Sequence, residues 1–345
     1  MSAPIAERLA AQGLLDRAAG RVEDVVGSLL AIQAQDPRGA RLAIRARTTG
    51  LTATDVDAAL TDERSLLVSW LNRGTLHLVR AEDYAWLHAL TTPQLRAGNA
   101  RRLDQEGVSE AQASRGVALV RDAVRDDGPQ TRGALRDLLE HAGVPTSGQA
   151  LVHLLVRATI EGLIVRGPLV AGEQAFVGVE QWLGSQPTVD RGAALAELAG
   201  RYLVAHGPAA DVDLARWAGI TLGDARRGLA AIASRLAQRP GGLVALASAP
   251  RVERLPAPRL LGPFDPILHG WASREAFVGS HAGVVTTNGV FRATALAGGK
   301  VVATWSLAAG RVVLRPLEPI EQIAGELAVE AADVQRFIAP GRAST

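Results

Sequence analysis

Apolar residues at Val22, Val25, Val26, Leu29 and Leu30 recur at helical spacing, which predicts a helix with one buried face. Gln33 continues that stripe by three residues, so an amide stands where a hydrophobe is expected. Asp36 precedes Pro37, which disfavours helix at Asp36 and makes it a natural N-cap with proline at the first helical position. The first helix is therefore expected to end near Gln33, with a second starting at Pro37 and a third near Thr54. SLLVSWL (65–71) and TLHLV (75–79) alternate on either side of Asn72-Arg73-Gly74, the signature of a β-hairpin.

Two later stretches repeat one pattern. The first runs from Gly128-Pro129 through TRGALRDLLEHAG and TSGQALVHLLVRATIEG to LIVRGPLVAGEQAFVGV. The second runs from Gly207-Pro208 through VDLARWAG and LGDARRGLAAIASRLAQ to RPGGLVALAS. Each reads helix, turn, longer helix, then a strand pair broken by Gly or Pro, the order of a winged helix-turn-helix. Amphipathic helices near 112–126 and 191–205 precede them. The N-terminal part reads as a third, divergent copy with the 65–79 hairpin as its wing. From about 258 short β-like runs meet at Asn288-Gly289, Gly298-Gly299 and Ala309-Gly310, tight-turn chemistry that predicts a small antiparallel meander or barrel closed by a helix over 320–338. The expected fold class is α+β: tandem winged helix-turn-helix modules with a small C-terminal antiparallel β-barrel or meander. The expected segments are 1–100, carrying the Gln33-Ala34-Gln35 motif, 101–187, 188–256 and 257–345.

Composition narrows the chemistry. Hydrophobic residues make up 48%, yet no run reaches the roughly 18 apolar residues of a membrane span, and MSAPIAERLAAQG lacks a secretory pattern. A soluble, cytoplasmic, nucleoid-associated protein with no membrane partner is expected. The absence of cysteine excludes disulfides, thiolate nucleophiles, zinc fingers and iron–sulfur clusters. Of 37 basic residues only Lys300 is a lysine. Codon bias of a GC-rich genome is the bland reading of that excess; physically, arginine grips phosphate with two hydrogen bonds but is no amine nucleophile.

Gln33 and Gln35 are the candidate catalytic pair. In an extended turn, residues i and i+2 face the same way, so the two amides would converge; a helix-end capping pair is the competing reading. Arg38, Arg41 and Arg45 follow at spacings of three and four on one helix face, either a phosphate-holding stripe or a solvated basic face. On the hairpin, Arg73 at the tip and Thr75 and His77 on one strand face are further DNA-contact candidates, although a lone histidine is usually structural. The two presumed recognition helices, beginning near Thr146 and Leu222, carry few base-reading side chains, which favours backbone grip. Seven scattered histidines show no metal-ligand spacing. No phosphate-binding loop, nucleophile elbow or dinucleotide fingerprint is present, so no cofactor and no metal are expected. Asp265 in GPFDPIL precedes a proline, where a turn role is the common explanation.

The segments AIQAQDPRGARLAIRAR (31–47), SWLNRGTLHLVRAEDYAWL (69–87), LLGPFDPILHGWASRE and NGVFRATALAGGKVVATWSL make the chain resemble the winged-helix DNA glycosylase family that includes the AlkZ and YcaQ-type proteins. Gln33 and Gln35 match the Gln-x-Gln, AlkZ-like branch. The resemblance implies a monofunctional glycosylase that removes bulky N7-alkylated purines from duplex DNA. It also implies unhooking of interstrand crosslinks left by DNA-alkylating natural products, as self-resistance. A monomer is expected. Trp271-Ala272-Ser273-Arg274 departs from relatives with an acidic residue before the arginine, so neither Asp265 nor Arg274 receives a role. The competing classes are a non-catalytic winged-helix DNA binder or transcriptional regulator, and a protein that sequesters the alkylating compound.

Overall fold

Strand pairing and helix caps fall where the turn and capping residues put them. In a computed structural model, which describes residues 3–339, Asn72-Arg73-Gly74 turns the chain between strands Leu66–Leu71 and Thr75–Arg80. Their register places Ser69 opposite His77 and Leu71 opposite Thr75. Asn72 and Gly74 both take positive φ, 49° and 79°, which the tight connection requires.

The chain packs into two units. One holds Asp57–Ala194. Its helix Glu110–Asp126 starts at a reciprocal cap in which the Ser109 hydroxyl accepts from Gln112 N and the Gln112 side chain accepts from Ser109 N. Helices Arg132–His141 and Ala150–Ile160 follow, then an antiparallel pair Ile164–Val170 and Glu173–Gly178. Val68 pairs with Arg166, joining the two hairpins into one sheet. Strand Leu66–Leu71 is buried along its whole length.

The other unit is discontinuous, made of the residues through Val56 and those from Leu195 onward. It contains helices Val22–Leu29, Pro37–Arg45, Asp211–Ala218 and Leu222–Ala231, the last capped by the Thr221 hydroxyl, and the strand pair Leu236–Arg239 with Leu243–Leu246. Strands Arg259–Leu261, Thr294–Ala297, Lys300–Ala308 and Arg311–Pro316 form an antiparallel sheet in that order. The first and last strands do not pair. The sheet is an open meander, and the barrel alternative is corrected: the turns at Gly298 and Gly310 join its strands as expected, the turn at Gly289 closes only an isolated bridge between Val285 and Phe291, and no pairing among the described residues joins the two edges. Helix Ala324–Ile338 packs over this sheet. The boundaries expected at 100 and 187 both fall inside the contiguous unit, and the one at 256 inside the discontinuous unit.

Buried ion pairs hold the discontinuous unit together. Arg47 donates to both carboxylate oxygens of Asp265, at 2.9 and 3.0 Å, with both residues enclosed. Asp265 also accepts from Ile267 N at 3.1 Å, so this carboxylate is a structural group fully engaged in its own turn.

Candidate functional site

Helix Val22–Leu29 ends four residues before Gln33, not at it. Leu30 turns into positive φ (67°), and Ile32–Gln33 is a short strand. Apolar spacing continues through the break because both the helix face and the strand are buried. Gln33 is 7% exposed, and its side-chain oxygen is enclosed with no hydrogen-bond partner. Ala34 is buried and Gln35 is exposed. The two amides, expected to converge, differ in exposure: Gln35 lies at the surface and Gln33 is enclosed. An enclosed amide oxygen without a donor costs about 1–3 kcal/mol.

Asp36 behaves as its sequence context predicts. Its backbone is extended (φ −110°, ψ 111°) and its carboxylate accepts from Gly39 N at 2.8 Å, fixing the start of helix Pro37–Arg45. Gly39 sits hard against the GPFDP segment. A Cβ at this position would lie 2.2 Å from the Pro263 carbonyl oxygen, and one at Gly262 would lie 2.8 Å from the Leu42 Cβ. The close approach needs both glycines, because the atom met at Gly39 is backbone and cannot swing aside. Gly39→Ala is therefore expected to destabilise this unit by about 1–3 kcal/mol through forced backbone shifts, read as a lower urea midpoint; an unchanged midpoint would show that the loop moves freely.

The expected arginine stripe divides. Arg38 is exposed and makes no ion pair among the described residues. Arg41 is half-buried, and its Nη1 donates to Pro37 O at 2.9 Å. Arg45 must be removed from the DNA-contact set. It is 1% exposed, its Nε donates to Asp333 at 2.9 Å, its Nη1 to Leu260 O at 3.0 Å and its Nη2 to Glu330. Helix spacing put it on the same face as Arg41, but carboxylates from helix Ala324–Ile338 enclose it.

In the contiguous unit, Arg73 is exposed at the hairpin tip. His77 is corrected in the same way as Arg45. It is 2% exposed, with Nδ1 bonded to Thr75 O at 2.9 Å, and burial, helped by the nearby Arg73 charge, depresses its pKa to about 3. A neutral, enclosed imidazole does not grip phosphate. The Thr75 hydroxyl is also enclosed and lacks a hydrogen-bond partner, so it makes no direct DNA contact in this conformation. Two residues that spacing did not single out share this condition. Ser69 Oγ and both side-chain polar atoms of Asn72 are buried without partners. Periodicity marks such positions only as strand or turn; their lack of partners is a tertiary property.

Among the described residues no cluster of three or more His, Asp or Glu stands where a metal ion would be held, and no helix is long and apolar enough to cross a membrane.

The Gln-Ala-Gln loop therefore leads into a capped helix that carries an exposed arginine, in a mixed α/β protein whose chain ends in an open meander and a helix. Residues 26–337 match the family model for AlkZ-like DNA glycosylases, and the chain belongs to that family of DNA-repair enzymes. Among solved structures the fold is similar to that of the Streptomyces sahachiroi DNA glycosylase AlkZ, with a TM-score of 0.79 and 22% sequence identity over 98% of this chain and 97% of that one. A search of curated proteins returns no match.

Proposed function

We propose that the protein hydrolyses the N-glycosidic bond of N7-alkylated purines in duplex DNA, including purines joined in interstrand crosslinks. What supports this reading is the match of residues 26–337 to the AlkZ-like glycosylase family, with Gln35 exposed in the Gln33-Ala34-Gln35 loop that carries the resemblance. An N7-alkylpurine is already cationic, so its C1′–N9 bond breaks with the electron pair leaving on the base, which departs neutral. Catalysis then needs a placed water and stabilisation of an oxocarbenium-like sugar, not a strong base. Gln35 orients the water, and Gln33, whose oxygen is enclosed in the free protein, helps hold that water or the deoxyribose once DNA binding opens the loop. The water oxygen bonds to C1′, its proton passes to solvent, and the products are free base and an abasic site, with no lyase step.

The helix–helix–hairpin repeats act as winged-helix modules in the segments 1–100, 101–187 and 188–256, with 257–345 as the meander domain. Arg38, Arg41 and Arg73 are the phosphate-holding side chains, and the enzyme works as a monomer. A lesion tied to both strands resists the base flipping that most glycosylases use, so the reaction proceeds with the lesion itself kept within the duplex. Such an activity suits self-resistance to a DNA-alkylating natural product.

The test is incubation with duplex DNA carrying N7-methylguanine. Free modified base should appear, and Gln35→Ala should slow its release about tenfold or more while leaving duplex affinity within about twofold. No release by the wild-type protein, or equal release by the variant, would remove this reading.

A further inference from the structure

A cleft of about 370 Å³ opens beside the Gln-Ala-Gln loop in the discontinuous unit, with Asp36 and Arg38 on one side and the meander on the other. Phe264, Phe291 and Trp305 supply the aromatic part of its apolar wall, beside aliphatic residues such as Leu42 and Leu307. Phe264 and Phe291 lie 5.4 Å apart, His269 stacks on Phe264 at 6.0 Å with ring planes 6° apart, and Trp305 Nε1 is anchored to Leu261 O at 2.9 Å. Phe264 occupies this wall at φ 58°, a left-handed conformation unfavourable for a bulky residue, which marks the placement of its ring as over-determined by the surroundings.

Three guanidinium groups line the same cleft, those of Arg38, Arg292 and Arg315. All three residues are exposed, and none makes an ion pair among the described residues. This sets them apart from the arginines of the interior, where Arg17, Arg45, Arg47 and Arg239 each hold a carboxylate. The carboxylate at the cleft, Asp36, is engaged with Gly39 N. Three cations against one anion, around an aromatic wall whose Phe264 and Phe291 rings are tilted 46° to each other, match a ligand that has both an aromatic plane and negative charge.

We infer that this cleft holds one nucleotide of the bound DNA strand, its base against Phe264, Phe291 and Trp305 and its phosphates on Arg38, Arg292 and Arg315. The volume falls within the range of small-ligand sites, and the combination of stacking wall and cationic rim is what single-stranded nucleic-acid sites use. A neutral aromatic appendage of a lesion would fill the wall but leave the cations without counter-charge; a bare anion would do the reverse. The inference rests on the reading of the chain as a DNA-acting enzyme and adds to it a site for a nucleotide displaced from the stack, separate from the amide motif.

The test uses the full chain and a single-stranded trinucleotide with 2-aminopurine between two thymidines. Stacking should quench its fluorescence, and the double variant Arg292→Ala/Arg315→Ala, altered only at exposed positions, should bind about tenfold or more weakly with unchanged circular dichroism. An unchanged titration in the double variant overturns the inference. So does equal competition by inorganic phosphate, which would make this an anion site, or equal competition by deoxyadenosine monophosphate, which would assign it to free nucleotides. Excision of N7-methylguanine is read separately. Variant-sensitive quenching without wild-type excision keeps the cleft and removes the glycosylase reading; excision with variant-insensitive quenching does the opposite.

Discussion

Replacing Arg45 by alanine is expected to destabilise the discontinuous unit by about 3–5 kcal/mol, the range for removing one partner of a buried ion pair. The side chain is fully enclosed, and Glu330 and Asp333 are its carboxylate partners. Truncation leaves Glu330 buried, with Leu260 N still donating to it at 3.0 Å and Arg259 at 3.8 Å. Arg17, which also bonds both carboxylates, softens the loss and argues for the lower end of the range. The variant should show a lower urea midpoint, while duplex affinity measured on folded protein, and its slope against salt, stay as in wild type. A variant of full stability whose salt slope falls by about one would instead return Arg45 to the phosphate-contact set.

Acidification from pH 7 to pH 5 is expected to remove about 4 kcal/mol of folding free energy through two histidines alone. His206 is completely enclosed, with ring centroids of Tyr202, Trp217 and Trp271 at 4.7, 5.1 and 5.7 Å, and neither ring nitrogen has a hydrogen-bond partner of normal geometry. Desolvation, then the charges of Arg47 and Arg8, bring its pKa to about 3, and His77 is depressed to the same level by burial. Both folded values lie below the unfolded value of about 6.5. Above that value the two states bind protons equally. As pH falls below it, the unfolded chain takes up protons that the folded chain refuses, so stability declines towards pH 3 by about 1.4 kcal/mol per pH unit for each histidine. Urea midpoints at pH 7 and pH 5 measure the loss. His206→Phe should remove about half of it, since phenylalanine suits the aromatic surroundings and does not titrate. Equal midpoints at the two pH values in wild type would show that neither imidazole is held neutral.

Local chemistry was legible wherever one residue decides a local geometry. Asp36-Pro37 announced a cap, Asn72-Arg73-Gly74 a three-residue hairpin turn, and the glycines at 298 and 310 the connections of the meander; each forms, whereas Gly289 turns the chain only within an isolated bridge. What was not legible depends on residues far away in the chain. The helix before Gln33 ends early because Leu30 adopts a left-handed backbone that leucine disfavours, and no local residue signals it. Arg41 and Arg45 are equivalent in periodicity, yet Arg45 bonds Asp333, 288 positions away, and becomes an interior cation. Strand composition likewise cannot distinguish an open sheet from a closed one, because closure depends on whether two edges meet. For the candidate site, the motif itself could be read, but not the depth of each amide.

The Arg17 and Arg45 contacts with Glu330 and Asp333 carry a consequence for biosynthesis. Segments near the start of the chain find their partners only after more than 280 further residues have been made. Asp57–Ala194 is contiguous and has its partners available as it leaves the ribosome, so it can assemble first. Arg17 and Arg45, ahead of it, must wait for their carboxylate partners until helix Ala324–Ile338 emerges. That interval is when a holdase chaperone, or the already folded middle of the chain, has to keep the nascent protein from aggregating.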